Sequence, residues 1–171
     1  MKSKFSPKFV IKDFFEYHQN EQYKLLLLPL ILASLLTFFV NINIELINIL
    51  LVSLSIFIGF LLNLMLASFN LKDSETPPRE WGNKLYYIQD FLLEYHITIS
   101  FELLISIGLV IILLFASLVN KSLFNYIPSE YISVMRWLFN FIIIYGLTLF
   151  FIVILRVLKF GHILLKYYLE N

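Results

Sequence analysis

Four stretches of the chain, residues 25–42, 46–69, 103–119 and 137–155, carry no charged side chain and run 17 residues or more each. Crossing about 30 Å of hydrocarbon at 1.5 Å per residue takes roughly 20 apolar residues in a helix. The pattern therefore predicts an all-α fold: a polytopic membrane protein with four transmembrane helices and short interfacial amphipathic helices. The layout it implies is an N-tail (1–24), a transmembrane hairpin (25–69), a loop (70–96), a second hairpin (97–155) with an outer loop (120–136), and a C-tail (156–171). The turn between the first two spans is too short to hold a domain, which makes them a tight antiparallel pair.

The polar segments have patterns of their own. Ser6-Pro7 reads as an N-cap followed by proline at the first helical position. Lys8, Lys12, Glu16 and Asn20 then recur every four residues, with Val10, Phe14 and Tyr17 on another side. This predicts an amphipathic helix on the inner leaflet, or a solvated lead-in to the first span. Thr76-Pro77-Pro78 stops any helix descending from the second span. From Glu80 onward, Trp81, Leu85, Ile88, Leu92 and Tyr95 fall at helical spacing. They predict an amphipathic helix along the inner leaflet, or an extension of span three, and form the expected surface for a cytoplasmic protein partner. Ile127-Pro128-Ser129 predicts a short interfacial helix starting near Ser129.

Composition agrees with the spans. Hydrophobic residues make up 60% and charged residues 15%, with a mean hydropathy of +0.82, beyond what a soluble core can cover with polar groups. The first apolar run is too long for a cleaved leader and is expected to remain as a helix. The 13 Lys and Arg residues divide unevenly: eleven lie in the tails and the loop 70–96, and two, Lys121 and Arg136, in the outer loop. That bias places both termini in the cytoplasm, in an inner or plasma membrane.

Little catalytic chemistry is available. The chain has no cysteine and three histidines, which removes disulfides, thiolate metal sites and cysteine nucleophiles. No phosphate loop, nucleophile elbow or zinc-helix motif occurs. No cofactor, no metal site and no enzymatic activity are expected. A net charge of +1 with no basic patch gives no reason to expect direct nucleic-acid binding.

Two features stand out inside the spans. Asn48, Val52, Ser55, Gly59, Asn63 and Ala67 follow one another along one face of span two. Small residues permit close helix approach in lipid, and Asn63 needs a hydrogen-bond partner there. The stripe is either an intrachain packing seam, a subunit interface or a pore lining. Glu102 is the one carboxylate expected within the hydrocarbon, about one turn from the inner end. It reaches the headgroups, forms an intramembrane ion pair with Arg156, or marks an ion or proton pathway, for which one carboxylate near an interface is little support. Asn140 and Gly146 are expected packing positions in span four.

In outline, the chain resembles the small four-span membrane subunits of bacterial anti-phage systems, above all that of the Kiwa system. The likeness rests on size, four spans with both ends inside, the Gly59-Phe60-Leu61-Leu62-Asn63 break and the loop at 70–96. It implies a homo-oligomer, a tetramer, in the inner membrane that detects phage attack and works with a cytoplasmic nucleic-acid-binding partner. It carries no catalytic residues. The leading expectation is therefore an oligomeric membrane sensor or scaffold with the bilayer, other copies of itself and a cytoplasmic protein as partners. The alternative is a pore-forming or depolarising effector. A lipid-acting enzyme has no catalytic spacing behind it.

Overall fold

The computed structural model describes residues 6–70, 79–81, 84–86, 88–122 and 129–169. The Thr76-Pro77-Pro78 stop and the Ile127-Pro128 turn lie outside the described residues.

The order is α1 (Pro7–Tyr17), a 3-10 turn (Gln19–Glu21), α2 (Gln22–Leu36), α3 (Ile44–Asn70), β1 (Arg79–Trp81), β2 (Lys84–Tyr86), α4 (Ile88–Ser122) and α5 (Ser129–Leu169). Helices dominate. Three of them are long and apolar enough to cross a membrane: Ile44–Ser68, Phe91–Leu118 and Ser133–Ile163. The protein is membrane-embedded on that footing.

The first apolar stretch does not reach span length as a helix. α2 stops at Leu36 after 15 residues, about 22 Å at the usual rise. Thr37 Oγ1 donates to the Ala33 carbonyl at 2.7 Å, and the backbone tightens through Phe39 N–H to Leu36 O at 3.0 Å. A threonine hydroxyl competing for the i−4 carbonyl, followed by two phenylalanines and a valine, favours a turn here. Asn43 then starts α3: its side-chain oxygen accepts from Leu46 N–H at 2.8 Å, the bond of an N-cap.

Of the three other expected helix starts, one falls where the sequence places it and two open elements that differ from expectation. Ser6 is extended (φ −92, ψ 139) with Pro7 at the first helical position, so α1 begins where the sequence places it. The helix expected from Glu80 is absent. Residues 79–86 form an antiparallel hairpin with Arg79 opposite Tyr86 and Trp81 opposite Lys84. Trp81 and Leu85 are thus strand residues, and Ile88 opens α4. Leu92 lies in the core, 7% exposed; these four residues do not share one partner-facing helix. The helix expected near Ser129 does begin there, but it runs on as α5 for 41 residues.

The main helix contacts are α3 with α4, α4 with α5, α2 with α5 and α1 with α4. The chain therefore forms a row α3–α4–α5–α2, with α1 laid on α4. The first two apolar segments do not form the expected packed hairpin, because α2 pairs with α5. Thr148 Oγ1 lies 3.3 Å from the Pro29 carbonyl across that contact. In α3 only 11% of the spanning residues are buried, against 39% in α4 and 33% in α5. α3 is the edge helix and α4 the central one.

Three apolar clusters stack along the row. Near the α1 end, Leu61 of α3 meets Leu92, Ile99 and Leu103 of α4 and Val157 of α5. Toward the other end, Ile47 and Leu54 meet Leu109, Leu113, Ile143 and Phe150. Phe14, Leu25, Phe101 and Val153 join α1 and α2 to α4 and α5. In lipid these clusters act through close packing more than through exclusion of water. The tightest point is Gly146, where an added Cβ would overlap Leu109 Cδ2 and lie 3.3 Å from its Cγ.

Gly146→Ala is expected to destabilise the α4–α5 pair by about 1–3 kcal/mol, the usual range for overpacking. Adding Leu109→Ala should recover part of the loss. Thermal unfolding of the single and double variants in detergent measures both effects.

Candidate functional site

Polar side chains inside the apolar bundle fall into two groups. Most hydroxyls are tied to their own helix. Ser55 Oγ donates to Leu51 O at 2.8 Å, Thr98 Oγ1 to Glu94 O at 2.7 Å, Ser100 Oγ to His96 O at 2.8 Å and Ser106 Oγ to Glu102 O at 2.8 Å. Such bonds satisfy the hydroxyl locally and leave little to recognise. The second group, which includes Glu102, Asn63, Asn48 and the buried Nε2 of His18, has no such answer.

Glu102 lies deeper than the sequence suggests. The spanning part of α4 starts at Phe91, so Glu102 stands eleven residues, or about 16 Å, along it. The carboxyl is fully buried, and neither oxygen has a hydrogen-bond partner among the described residues. The expected Glu102–Arg156 pair is not formed. Arg156 Nη2 instead meets Glu21 Oε2, at the start of α2. The guanidinium, by hydrogen bond first and by charge second, holds the Glu21 carboxyl below its ordinary value of 4.5.

Glu102 belongs to a line. Glu94, Thr98, Glu102 and Ser106 are spaced by four and lie along one side of α4. Thr98, Glu102 and Ser106 are wholly buried, while the Glu94 side chain keeps 27% of its exposure. α1 covers the Glu94 end. Phe14 stacks on Phe101 with ring centres 3.8 Å apart and planes 10° apart. One turn later, His18 Nδ1 lies 3.0 Å from Phe14 O, and His18 Nε2 lies 3.4 Å from Glu94 Oε1. Thus the N-terminal helix, expected on the leaflet surface, packs against the bundle with its Phe14 side. Phe9, Ile11 and Tyr17 remain exposed.

The α3 stripe faces the opposite way from intrachain packing. Asn48, Val52, Ser55, Gly59, Asn63 and Ala67 are all exposed. A Cβ added at Gly59 would meet nothing within 4 Å. Among the described residues the stripe packs against no other helix of the chain. Asn48 and Asn63 make no hydrogen bond among the described residues.

At the end remote from α1, a cleft of about 380 Å³ opens between the α2–α3 turn and the start of α5. Asn41, Asn43, Arg136 and Asn140 supply polar groups over a floor that includes Ile47 and Ile143. Asn140 Nδ2 donates to Asn41 Oδ1 at 3.4 Å, a long bond. No group of three His, Asp or Glu side chains fit to hold a metal occurs among the described residues.

Comparison of the chain with known protein families, characterised proteins and solved structures returned no match.

The Glu21–Arg156 pair carries a pH signature. Glu21 titrates lower when folded, so its contribution is present above about pH 4.5 and fades as pH falls through the depressed value. Half of the Glu21 side chain is exposed, which keeps the contribution under about 1 kcal/mol. Glu21→Gln should lower the unfolding temperature slightly at pH 7, and by less as the pH falls through the range where Glu21 takes up its proton, as followed by circular dichroism in detergent.

Proposed function

We propose that the chain is a subunit of a homo-oligomeric, multi-pass membrane assembly. It serves as a sensor or scaffold that relays a membrane event to a cytoplasmic partner, and not as a catalyst. The observation that carries this reading is the outward stripe on the edge helix α3. Asn48 and Asn63 face what would be lipid, with no partner among the described residues. An amide in hydrocarbon loses several kcal/mol unless it is hydrogen-bonded. It is donor and acceptor at once, so the same amide on a second copy answers it in a two-fold contact. Gly59 lies between the two amides and permits the backbones to approach. From Asn48 to Ala67 the stripe runs about 28 Å, close to the hydrocarbon thickness.

The setting we propose is a bacterial inner membrane, with both termini cytoplasmic. The charge bias of eleven to two supports that orientation. A fourth, short crossing by the segment 22–41 is supported by its two ends. Glu21 meets Arg156 on α5, and Asn41 meets Asn140 sixteen residues earlier on the same helix. An anti-phage role of the Kiwa kind, as a tetramer, is supported by outline alone. The partner surface expected at Trp81, Leu85, Ile88 and Leu92 has to be sought elsewhere, since those residues share no helix face.

A pore is the second reading, because a ring of α3 helices would line an axis with Asn48, Ser55 and Asn63. Ser55 is tied to its own backbone and Val52 and Ile56 are exposed beside it, which favours a dry seam over a wet lumen.

Native mass spectrometry of the detergent-solubilised chain should show an oligomer. Asn63→Leu should weaken it by tenfold or more, about 1.4 kcal/mol. A wild-type chain that is monomeric at all concentrations would refute the proposal. In liposomes, an oligomer that passes no ions supports the scaffold. A current that Asn63→Leu abolishes favours the pore.

A further inference from the structure

We propose that Glu102 is a proton-binding site held deep in the membrane, loaded and released from the end of the bundle where α1 docks. The site lies on α4 and needs no second copy of the chain, so it stands or falls apart from the oligomer.

The first observation is the carboxyl itself. It is fully buried, with both oxygens unpartnered. A lone carboxylate in such surroundings is expensive, and such a group takes up a proton instead. Larger cations do not suit it. Calcium or magnesium takes six or more oxygens at short range, and the nearest hydroxyls on the same line, Thr98 and Ser106, are turned to backbone carbonyls.

The second observation is the route. Glu94 stands at a partly exposed mouth, Thr98 one turn deeper and Glu102 one turn deeper again. Thr98 has two accessible side-chain rotamers in a helix. Its hydroxyl, now given to the Glu94 carbonyl, can turn toward the next residue on the line. On release, Glu102 passes its proton by way of this hydroxyl, or of a water admitted beside it, to the Glu94 carboxylate. Glu102 is left as carboxylate and Glu94 as carboxylic acid, and nothing is oxidised or reduced.

The third observation is the cover. Phe14 of α1 and His18, which follows its last residue, close the mouth, His18 against Glu94 and Phe14 on Phe101, the residue next to Glu102. His18 Nδ1 lies against the Phe14 carbonyl, and Nε2 faces Glu94 Oε1. The ionisable groups facing this region from other elements are few. The turn after α1 offers His18. α5 offers Arg156, which is held by Glu21. α3 has Glu45 alone, at its far end. α4 itself adds Glu94, Tyr95 and His96. An ionised Glu102 has no stable place under a closed α1, so proton release requires α1 to lift. The state of one carboxyl is thereby tied to the position of the N-terminal helix.

Infrared spectroscopy of the full chain in liposomes tests this. At pH 7 the wild type should show the carbonyl band of a protonated carboxylic acid, sensitive to deuterium exchange and missing in the near-isosteric Glu102→Gln. In Phe14→Ala and His18→Gln the band should vanish at a pH lower by about one unit or more, with helix content unchanged by circular dichroism. Absence of a Glu102-dependent band at pH 7 would overturn the site. A band whose pH dependence is the same in both α1 variants would overturn the gate. Dicyclohexylcarbodiimide, which attacks protonated carboxyls in apolar surroundings, should modify Glu102 more readily in Phe14→Ala than in wild type. Equal modification of Glu102 in the two would also count against the gate.

Discussion

In hydrocarbon no water is at hand to satisfy a polar group, and the architecture follows from how each polar side chain meets that condition. Most serines and threonines meet it within their own helix and leave the packing to Leu, Ile, Val and Phe. Glu21 and Arg156 meet it by pairing at one end of the bundle, and His18 and Glu94 meet beside them. Glu102, Asn48 and Asn63 do not meet it among the described residues. In the readings we propose, Glu102 answers with a proton and the amides on α3 with a second copy of the chain. The two functional proposals are thus two outcomes of one solvent constraint.

The packing row shows why the constraint falls as it does. α4 is packed against α1, α3 and α5, so a polar residue on its buried side is cut off from everything except its own line. α3 is held along one side only, so residues on its free face stay outside the bundle. A carboxyl on α3, or an amide on α4, would have had different consequences from the ones seen.

Much of this was legible in the sequence, for definite reasons. Absence of charge marked α3, α4 and α5, because a charge inside a span is costly and therefore rare. Ser6-Pro7 marked the start of α1 because capping is local. The shortness of α2 was harder to see: hydropathy does not register that Thr37 turns its hydroxyl on Ala33. The hairpin at 79–86 did leave a sign, since Gly82-Asn83 is a two-residue turn pair between short runs with strand-forming aromatics. The helical spacing of Trp81, Leu85, Ile88 and Leu92 arose by straddling two different elements. The depth of Glu102 hinged on where α4 begins, and the choice of Glu21 over Glu102 by Arg156 hinged on α2 lying against α5, which no local pattern encodes.

That last contact bears on how the chain is put together. The face on α5 that receives α2, around Thr148 and Val153, is made more than a hundred residues after α2 itself. Until α5 is in place, a 15-residue apolar rod has nothing to lean on but lipid and the residues beside it in the chain. During synthesis the beginning of the protein must wait for its end, and the row can close only after the final rod has slid in between the second and the fourth.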